Sequence, residues 1–397
     1  MQGIKDRVAI VGMGCSKFGE MWDKSDEDLM VDACYEALED AGLESKDIQA
    51  AWYGTNFTGF TGQMLAHAIK LEYIPVTRVE NACATATDAF RNAAYAVAAG
   101  IYDIVLACGV DKLKDSGYTG LDMSRFLPDG SKVAMTPRVP PPSQFALSAV
   151  RYFHTYGLSY EEGKRILAKI AVKNHHNGTL SPKAHFQREI TVEQALNAPM
   201  IAYPLGLFDC CGVSDGSAAA IITTPEIAKR LRKDKDHVMV KGLGLSVGAR
   251  QGTLRDSYDF VHFEENVAAA RMVYSEAGIK NPREEIKVAS VHDCFTITEL
   301  IIYEDLGFSP RGKGKDDVEA GTFSLTGKLP VNTDGGLKCF GHPVGASGLR
   351  MIYEVYKQLQ GKAGPRQVKN ADIGLTHNLG GVPGSFTSAI GIFGRAS

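Results

Sequence analysis

Apolar positions along this chain switch repeatedly between two periods, and the switches predict its elements. RVAIVGMG at 7–14 is a continuous apolar run that reads as a buried strand. Ser25 and Asp28 then make a capping box. Leu29, Ala33, Cys34, Ala37 and Leu38 recur at helical spacing until Gly42 ends the pattern. AAWYGTN at 50–56 reads as the next strand, followed by a short helix near Gln63–Leu71. The strand TRVEN at 77–81, a long Ala-rich helix after Cys83 and the strand DIVLACGV at 103–110 complete the series. Strands and helices in alternation predict an α/β unit with a largely parallel sheet covered by helices.

The second half repeats the theme. ARMVYSEAGIKNPREEIKVASVHDC at 270–294 resembles ACYEALEDAGLESKDIQAAWYGTN at 33–56 in its helix, its Ala-Gly stop, its acidic-Ile pair and its following strand, so Gly278 answers Gly42. VKNADIGLTHNLGG at 368–381 echoes GIYDIVLACGV at 100–110. An internal duplication is the economical reading. It would bring the C-terminal ends of strands from both halves together, where α/β sheets hold their sites. The stretch from Lys112 to Pro204 differs in character, with PRVPPP at Pro137–Pro142, paired His175 and His176, and one amphipathic stretch around Tyr160–Asn174. It reads as an insertion shaping a substrate channel. The expected organisation is an N-terminal half of residues 1–115 with 205–230, a loop domain of 116–204, and a C-terminal half of 231–397. SDGSAAAIITT at 214–224 would return as a strand of the first half.

Composition changes this picture little. The 397 residues are 44% hydrophobic and 22% charged with a formal charge of -3, so no basic field points to nucleic acid. No apolar run approaches the roughly 18 residues needed to span a membrane, and the C-terminal GRAS is not a peroxisomal address, so a cytoplasmic location is expected. The eight cysteines include no Cys-x-x-Cys pair, which argues against a disulfide framework and a structural zinc site.

Chemistry concentrates in four loops. Cys83 follows a strand and precedes a helix, where aligned amides favour a thiolate. Three later loops each follow a strand-like run: His292-Asp293-Cys294-Phe295, Gly341-His342-Pro343-Val344-Gly345-Ala346 and His377-Asn378-Leu379-Gly380-Gly381. Taken singly, His342 reads equally as a satisfied core histidine, Cys294 as packing, Asp293 as a cap for a helix near Thr296, and the glycines as a tight turn. Gly212-Val213-Ser214-Asp215-Gly216 fits the serine-hydrolase elbow pattern, but the residues after it are strand formers where an elbow needs a helix.

Together NACATATDAF, HDCFTITEL, GGLKCFGHPVGASG and HNLGG, in this order, resemble the four catalytic loops of the thiolase superfamily, in its sterol-carrier-protein-type and archaeal or bacterial branch. The resemblance implies a duplicated α/β thiolase fold of five layers, αβαβα, with an inserted loop domain over the CoA channel. It implies cleavage or formation of a 3-oxoacyl-CoA through an acyl-Cys83 intermediate, with acyl-CoA as substrate, coenzyme A as co-substrate and no metal or redox cofactor. Cys83 corresponds to the nucleophile, His342 to the imidazole that takes its proton, Cys294 to the acid/base cysteine, and His292 to a group at the first oxyanion hole. The amides of Cys83 and Gly380 correspond to the second hole. A homodimer or dimer of dimers is implied too, and because some members of this branch work with small OB-fold/zinc-ribbon proteins, such a partner is a further expectation. Acyl groups handled in the branch include bulky and aromatic ones such as benzoylsuccinyl-CoA, which aromatic residues of the insertion, among them Phe145, Tyr152, Phe153 and Tyr156, would suit. The alternatives are a condensing synthase of the hydroxymethylglutaryl-CoA or ketoacyl type, which generally lacks a second catalytic cysteine, and a scaffold subunit that channels intermediates. Two departures stand out: Asn378 replaces the Cys of the familiar Cys-x-Gly loop, and Cys-Ala-Thr-Ala-Thr replaces Cys-Ala-Ser-Gly.

Overall fold

The computed structural model describes residues 3–116, 140–232 and 236–396. Its strands in chain order are β1 (Ala9–Cys15), β2 (Ala50–Gly54), β3 (Val76–Val79), β4 (Ile104–Lys112), β5 (Met200–Ala202), β6 (Leu205–Gly206), β7 (Asp215–Thr223), β8 (Val238–Val247), β9 (Val288–Val291), β10 (Ile373–Val382) and β11 (Ser385–Arg395). β5 and β6 pair with each other. The other nine form one sheet in the order β3-β2-β4-β7-β1-β8-β11-β10-β9.

The duplication is visible in that order. β1 and β8 share only the pairs Ala9↔Met239 and Ile10↔Val238. Outward from this seam, β1, β7, β4 and β2 on one side match β8, β11, β10 and β9 on the other, in the same chain order. β3 has its counterpart in Val331, which bridges to Ala289 in parallel beyond β9. Helices Asp26–Ala41 and Glu264–Ala277 cover the outer faces of their own halves, and both end at a left-handed glycine, Gly42 at φ 69° and Gly278 at φ 80°. Helices Thr85–Ala98 and Ser347–Gln360 pack on each other between the two halves. The layers are therefore helix, sheet, helix, sheet, helix, the duplicated thiolase arrangement.

The sheet is mixed rather than largely parallel. β2 runs parallel to β3 and β4, and β9 to β10, but β4–β7, β7–β1, β1–β8, β8–β11 and β11–β10 are antiparallel. Alternating elements dictate direction only where a helix carries the crossover. β10 instead returns into β11 through the turn at Pro383 and Gly384, the latter at φ 89°, and β7 enters after the long insertion with no such constraint.

In the insertion, helix Pro141–Thr155 starts with Pro in its first turn, and helix Tyr160–Thr179 starts at a Ser159–Glu162 capping box. The second helix runs through the paired histidines to Thr179, past the predicted end at Asn174. Pro137–Arg138–Val139 of the proline-rich run lies outside the described residues. Phe145, Tyr152 and Phe153 are buried. Phe145 packs against Phe295 at 4.7 Å between ring centroids and against Phe386 at 6.0 Å, so the insertion is anchored beside the HDCF loop. Tyr152 instead donates to Glu304 Oε1 at 2.5 Å and belongs to the core. No helix among the described residues is long and apolar enough to cross a membrane.

Candidate active site

All four motifs meet at one place between the central helices, but two are not the expected loops after strands: Gly341–Ala346 follows the short helix Gly336–Cys339, and His377–Gly381 is part of β10 itself. The junction from β3 into helix Thr85–Ala98 carries Cys83, and the turn from β9 into helix Thr296–Asp305 carries His292 and Cys294. The loop before helix Ser347–Gln360 carries His342, and β10 itself carries Asn378 and Gly380. Cys83, His292 and His342 each present a side-chain ligand atom, and these three atoms lie within 4.8 Å of one another. The two imidazoles stand edge to face, 5.2 Å apart at 84°. Both histidines and Cys294 are buried, whereas Cys83 keeps partial exposure.

The turn that presents Cys83 is held tightly. Ala82 has φ 49°, a left-handed conformation that costs an alanine roughly 1 kcal/mol or more. Its amide donates to Glu80 Oε1 at 2.6 Å, Asn81 N donates to Thr85 Oγ1 at 2.8 Å, and Asn81 Nδ2 donates to Asp88 Oδ2 at 2.6 Å. Gly380 lies against this turn: a Cβ there would collide with the Asn81 carbonyl and sit 3.0 Å from Cys83 N. Glycine is needed at 380 for that close approach, not for a left-handed turn.

The expected activation of Cys83 by helix amides is overridden. Burial, then the charge of Asp111, push its thiol up to about 12, although the backbone amides of Cys83 and Gly381 favour the thiolate. Asp111 is fully buried behind the turn, where it accepts from Thr55 Oγ1 and the amides of Phe57 and Gly345. The helix contributes partial charges; Asp111 contributes a full one of the opposite sense.

His342 has a defined proton position. Ser347 Oγ donates to the Pro343 carbonyl at 2.8 Å, so at 2.7 Å from His342 Nδ1 it accepts the ring N–H and leaves Nε2 as the lone-pair nitrogen. Burial, reinforced by Arg350, pushes this imidazole down to about 3, and His292 is pushed well below its ordinary range by burial, His342, His377 and Arg350. Arg350 is itself buried and paired with Asp334 at 2.6 Å. His292 Nδ1 lies 3.4 Å from Asn378 Nδ2, and Asn378 Oδ1 accepts from Thr87 Oγ1 at 2.8 Å. With the amide so turned, its N–H faces Nδ1 and the proton of neutral His292 resides on Nε2. The site at rest is thus a neutral thiol beside two neutral imidazoles.

Cys294 lies next to this group. Its thiol is raised well above the usual range by burial, then by Cys211 and Cys83, against a 3.7 Å contact with Thr298 Oγ1. Cys211 N donates to the Cys294 carbonyl at 2.9 Å. Asp293 does not cap the helix near Thr296; it accepts from the amides of Leu337 and Lys338 at 2.6 and 3.2 Å and from Asn174 Nδ2 at 2.8 Å, tying the HDCF loop to the segment leading to His342. His377 alternates away from Asn378 along β10 and meets Asn266 Oδ1 at 2.8 Å on the far face. Ser214 precedes β7 rather than a helix and lies 2.9 Å from His185 Nδ1. Ser347, Asp111 and Cys211 were given no role in the sequence, and Thr87 stood out only as part of the Cys-Ala-Thr-Ala-Thr departure. Only Ser347, at the start of the helix after His342, sits where spacing could have flagged it.

The family model for the thiolase N-terminal domain matches residues 8–226, and that for the thiolase C-terminal domain-like region matches residues 246–394. The chain belongs to the thiolase family. An acetyl-CoA acetyltransferase of Methanothermobacter thermautotrophicus is 39% identical, over 98% of this chain and 99% of its own length. Human sterol carrier protein 2 is 32% identical over 94% of this chain and 70% of its own length. Among solved structures, one described as an Ltp2-ChsH2(DUF35) aldolase has a TM-score of 0.83 at 27% identity, covering 99% of this chain and 98% of that one. An acetyl-CoA acetyltransferase from Syntrophomonas wolfei shares the fold at a TM-score of 0.69 and 19% identity, over 99% of this chain and 100% of that one. This thiolase-family chain is accordingly an acyltransferase enzyme of acetyl-CoA acetyltransferase type.

Proposed function

We propose that the enzyme cleaves or forms a 3-oxoacyl-CoA by retro-Claisen or Claisen chemistry through an acyl-Cys83 intermediate. The observation that carries this reading is the convergence of Cys83 with two neutral imidazoles, one of which has its lone pair free.

In the cleavage direction, His342 Nε2 takes the Cys83 proton as sulfur attacks the 3-keto carbon. The resulting oxyanion is held by the amides of Cys83 and Gly380, and such fixed donors contribute about 3 kcal/mol each. The C2–C3 bond then breaks, its electrons passing to the thioester as an enolate stabilised by Nε2–H of His292 and by protonated His342. Cys294 gives its proton to C2 and releases the CoA thioester that keeps C1 and C2, while the shortened acyl group stays on Cys83. The Cys294 thiolate then deprotonates incoming CoA, whose sulfur displaces Cys83 from the acyl group, and the leaving Cys83 sulfur takes back the proton held by His342. A neutral resting pair suits this sequence, because charge appears only as the bond to the substrate forms.

The reading extends to the surroundings. The described part of the loop domain, residues 140–204, covers the substrate and CoA channel, residues 117–139 of that domain lying outside the described residues; the enzyme works in the cytoplasm as a homodimer or dimer of dimers, and its acyl group is bulky or aromatic, benzoylsuccinyl-CoA being one such substrate. Phe145 and Phe295 beside Cys294 support the last point. A partner protein is supported by the Ltp2-ChsH2(DUF35) pairing of the structural relative and by exposed Met200, Ile201, Tyr203 and Leu207 on one hairpin.

Intact-protein mass after incubation with acyl-CoA tests the core of the proposal. An acyl adduct present in the wild type and absent in Cys83→Ser is expected, with CoA-dependent cleavage across a panel of 3-oxoacyl-CoAs that includes benzoylsuccinyl-CoA. No adduct with any acyl-CoA would leave a scaffold as the better account.

A further inference from the structure

The three groups that the catalytic reading brings together also present three ligand atoms that a divalent cation could use. Among the described residues, Cys83, His292 and His342 are the one group of three or more His, Cys, Asp or Glu side chains whose ligand atoms converge. Sulfur with two imidazoles is a donor set suited to zinc and its borderline-soft relatives, and three protein ligands with a fourth position open is the coordination of catalytic rather than structural zinc sites. The absence of Cys-x-x-Cys pairs says nothing against it, since the three ligands come from three separate loops.

Geometry and charge both admit the ion. Zinc bonds of about 2.3 Å to sulfur and about 2.0–2.1 Å to nitrogen place tetrahedral ligand atoms roughly 3.5 Å apart, so atoms already within reach of one another need only small side-chain rotations. Asp111, buried and held by Thr55 Oγ1 and the amides of Phe57 and Gly345, places a carboxylate behind the site, which suits a cation there. The surrounding hydrogen bonds also suit the role. A metal-bound histidine donates its other N–H to a fixed acceptor, which orients the ring. Ser347 Oγ already accepts from Nδ1 of His342. For His292, the Asn378 amide turns over so that Oδ1 accepts from Nδ1–H, while Thr87 Oγ1, a donor and acceptor alike, then accepts from Nδ2.

We propose that Cys83, His292 and His342 form a three-ligand site for zinc-class divalent cations, and that an ion held there reversibly silences the enzyme. Binding releases the Cys83 thiol proton to solvent and moves the His292 proton from Nε2 to Nδ1. The thiolate lone pair that would attack substrate becomes the metal bond, with no change of oxidation state.

The test uses the untagged full chain, freed of metal with a chelator and titrated with Co²⁺ as the optical probe. Expected are one ion per chain, visible bands of four-coordinate cobalt and a thiolate-to-cobalt charge-transfer band. All are lost in Cys83→Ala and His292→Ala and in wild type alkylated at Cys83, which needs no new fold. Zn²⁺ should displace Co²⁺, protect Cys83 from alkylation and stop acylation until chelator is added. Asn378→Asp, which supplies a stronger acceptor to His292, should tighten binding about tenfold or more. Cobalt bound without the charge-transfer band, or bound equally by the alkylated chain, would overturn the proposal. A chain that forms the acyl adduct but shows no such band loses only the metal site; one that shows the band but never acylates loses only the catalytic reading.

Discussion

Ser347 Oγ stands 2.7 Å from Nδ1 of His342 and gives its own proton to the Pro343 carbonyl, so one hydroxyl decides which nitrogen of the ring faces Cys83 as a base. Removing it in Ser347→Ala leaves the ring free to carry its proton on Nε2, the nitrogen that must accept from Cys83. Acyl-adduct formation should slow by about 10-fold or more, a loss of the size seen when the orienting partner of a functional histidine is removed. The folded state should persist, because Ser347 is small and sits in the first turn of a long helix. Adduct formation followed by mass, with thermal unfolding alongside, checks both statements. A rate equal to wild type would mean that packing alone orients the ring.

The raised thiol of Cys83 gives a pH dependence with a definite sign. Its thiolate is scarce at neutral pH, so alkylation by iodoacetamide, which needs the preformed anion, should climb by about tenfold per pH unit between pH 7 and 9 without a plateau. Acylation by acyl-CoA should be nearly flat over the same range. There His342 takes the proton during attack, and with its imidazole pushed down to about 3 it stays neutral and able to accept. Stopped-time mass spectrometry of both adducts measures the contrast. An alkylation plateau below pH 8 would show that a thiolate exists at rest and that the helix amides prevail over Asp111.

How much of this was legible follows from which forces act locally. The two Gly-stopped helices and the strand before Cys83 were readable because capping, period and left-handed glycine act within a few residues, whereas HNLGG, read as a loop, is part of β10. Strand direction was not: the β10–β11 hairpin is local and its Pro383–Gly384 turn signal was passed over, whereas the late entry of β7 is a decision of tertiary pairing. The upward push on the Cys83 thiol was not legible for the same reason: helix amides adjoin it in sequence, whereas its burial, and then Asp111 from β4, come from elsewhere in the fold. Asp293, read as a helix cap, turned out to hold the segment from Gly336 to Cys339, a contact more than forty residues away.

The close approach of Gly380 to the nucleophile turn predicts that Gly380→Ala is far more damaging than one methyl suggests. The added Cβ must displace the Asn81 carbonyl or the Cys83 amide, both fixed by the strained turn at Ala82. Acylation should fall by about 10²-fold or more if these amides form the oxyanion hole, with little loss of acyl-CoA binding. Steady-state kinetics and a CoA-binding titration separate the two. An equal loss of binding and turnover would point to a displaced channel instead.

Assembly is tested at the free edge of the sheet. β3 pairs only with β2 among the described residues, and its central Thr77 and Arg78 are exposed. An edge strand next to the nucleophile turn is well placed to pair with a second copy about a twofold axis. Light scattering at micromolar concentration should give at least twice the chain mass. A monomer would remove the expected dimer and leave the support of the Cys83 turn to this chain alone.

The last expectation separates the cysteines. Acyl transfer from a simple acyl-CoA to Cys83 creates no carbanion, so Cys294→Ala should still acquire the adduct. Cleavage of a 3-oxoacyl-CoA requires a proton for C2 and a base for incoming CoA, and losing a positioned acid/base lowers the rate by about 10²–10⁴-fold. Cys211 adjoins both thiols but touches Cys294 through its backbone amide, so Cys211→Ala should leave both steps largely unchanged. This control matters because half-buried Cys211 lies beside the same site and, with its proton available, is the obvious rival donor. Each variant is assayed for adduct mass and for CoA-dependent cleavage. If Cys211→Ala loses cleavage while Cys294→Ala keeps it, the proton on C2 comes from Cys211; if Cys294→Ala loses both steps equally, the HDCF cysteine supports the shape of the site rather than its proton transfers.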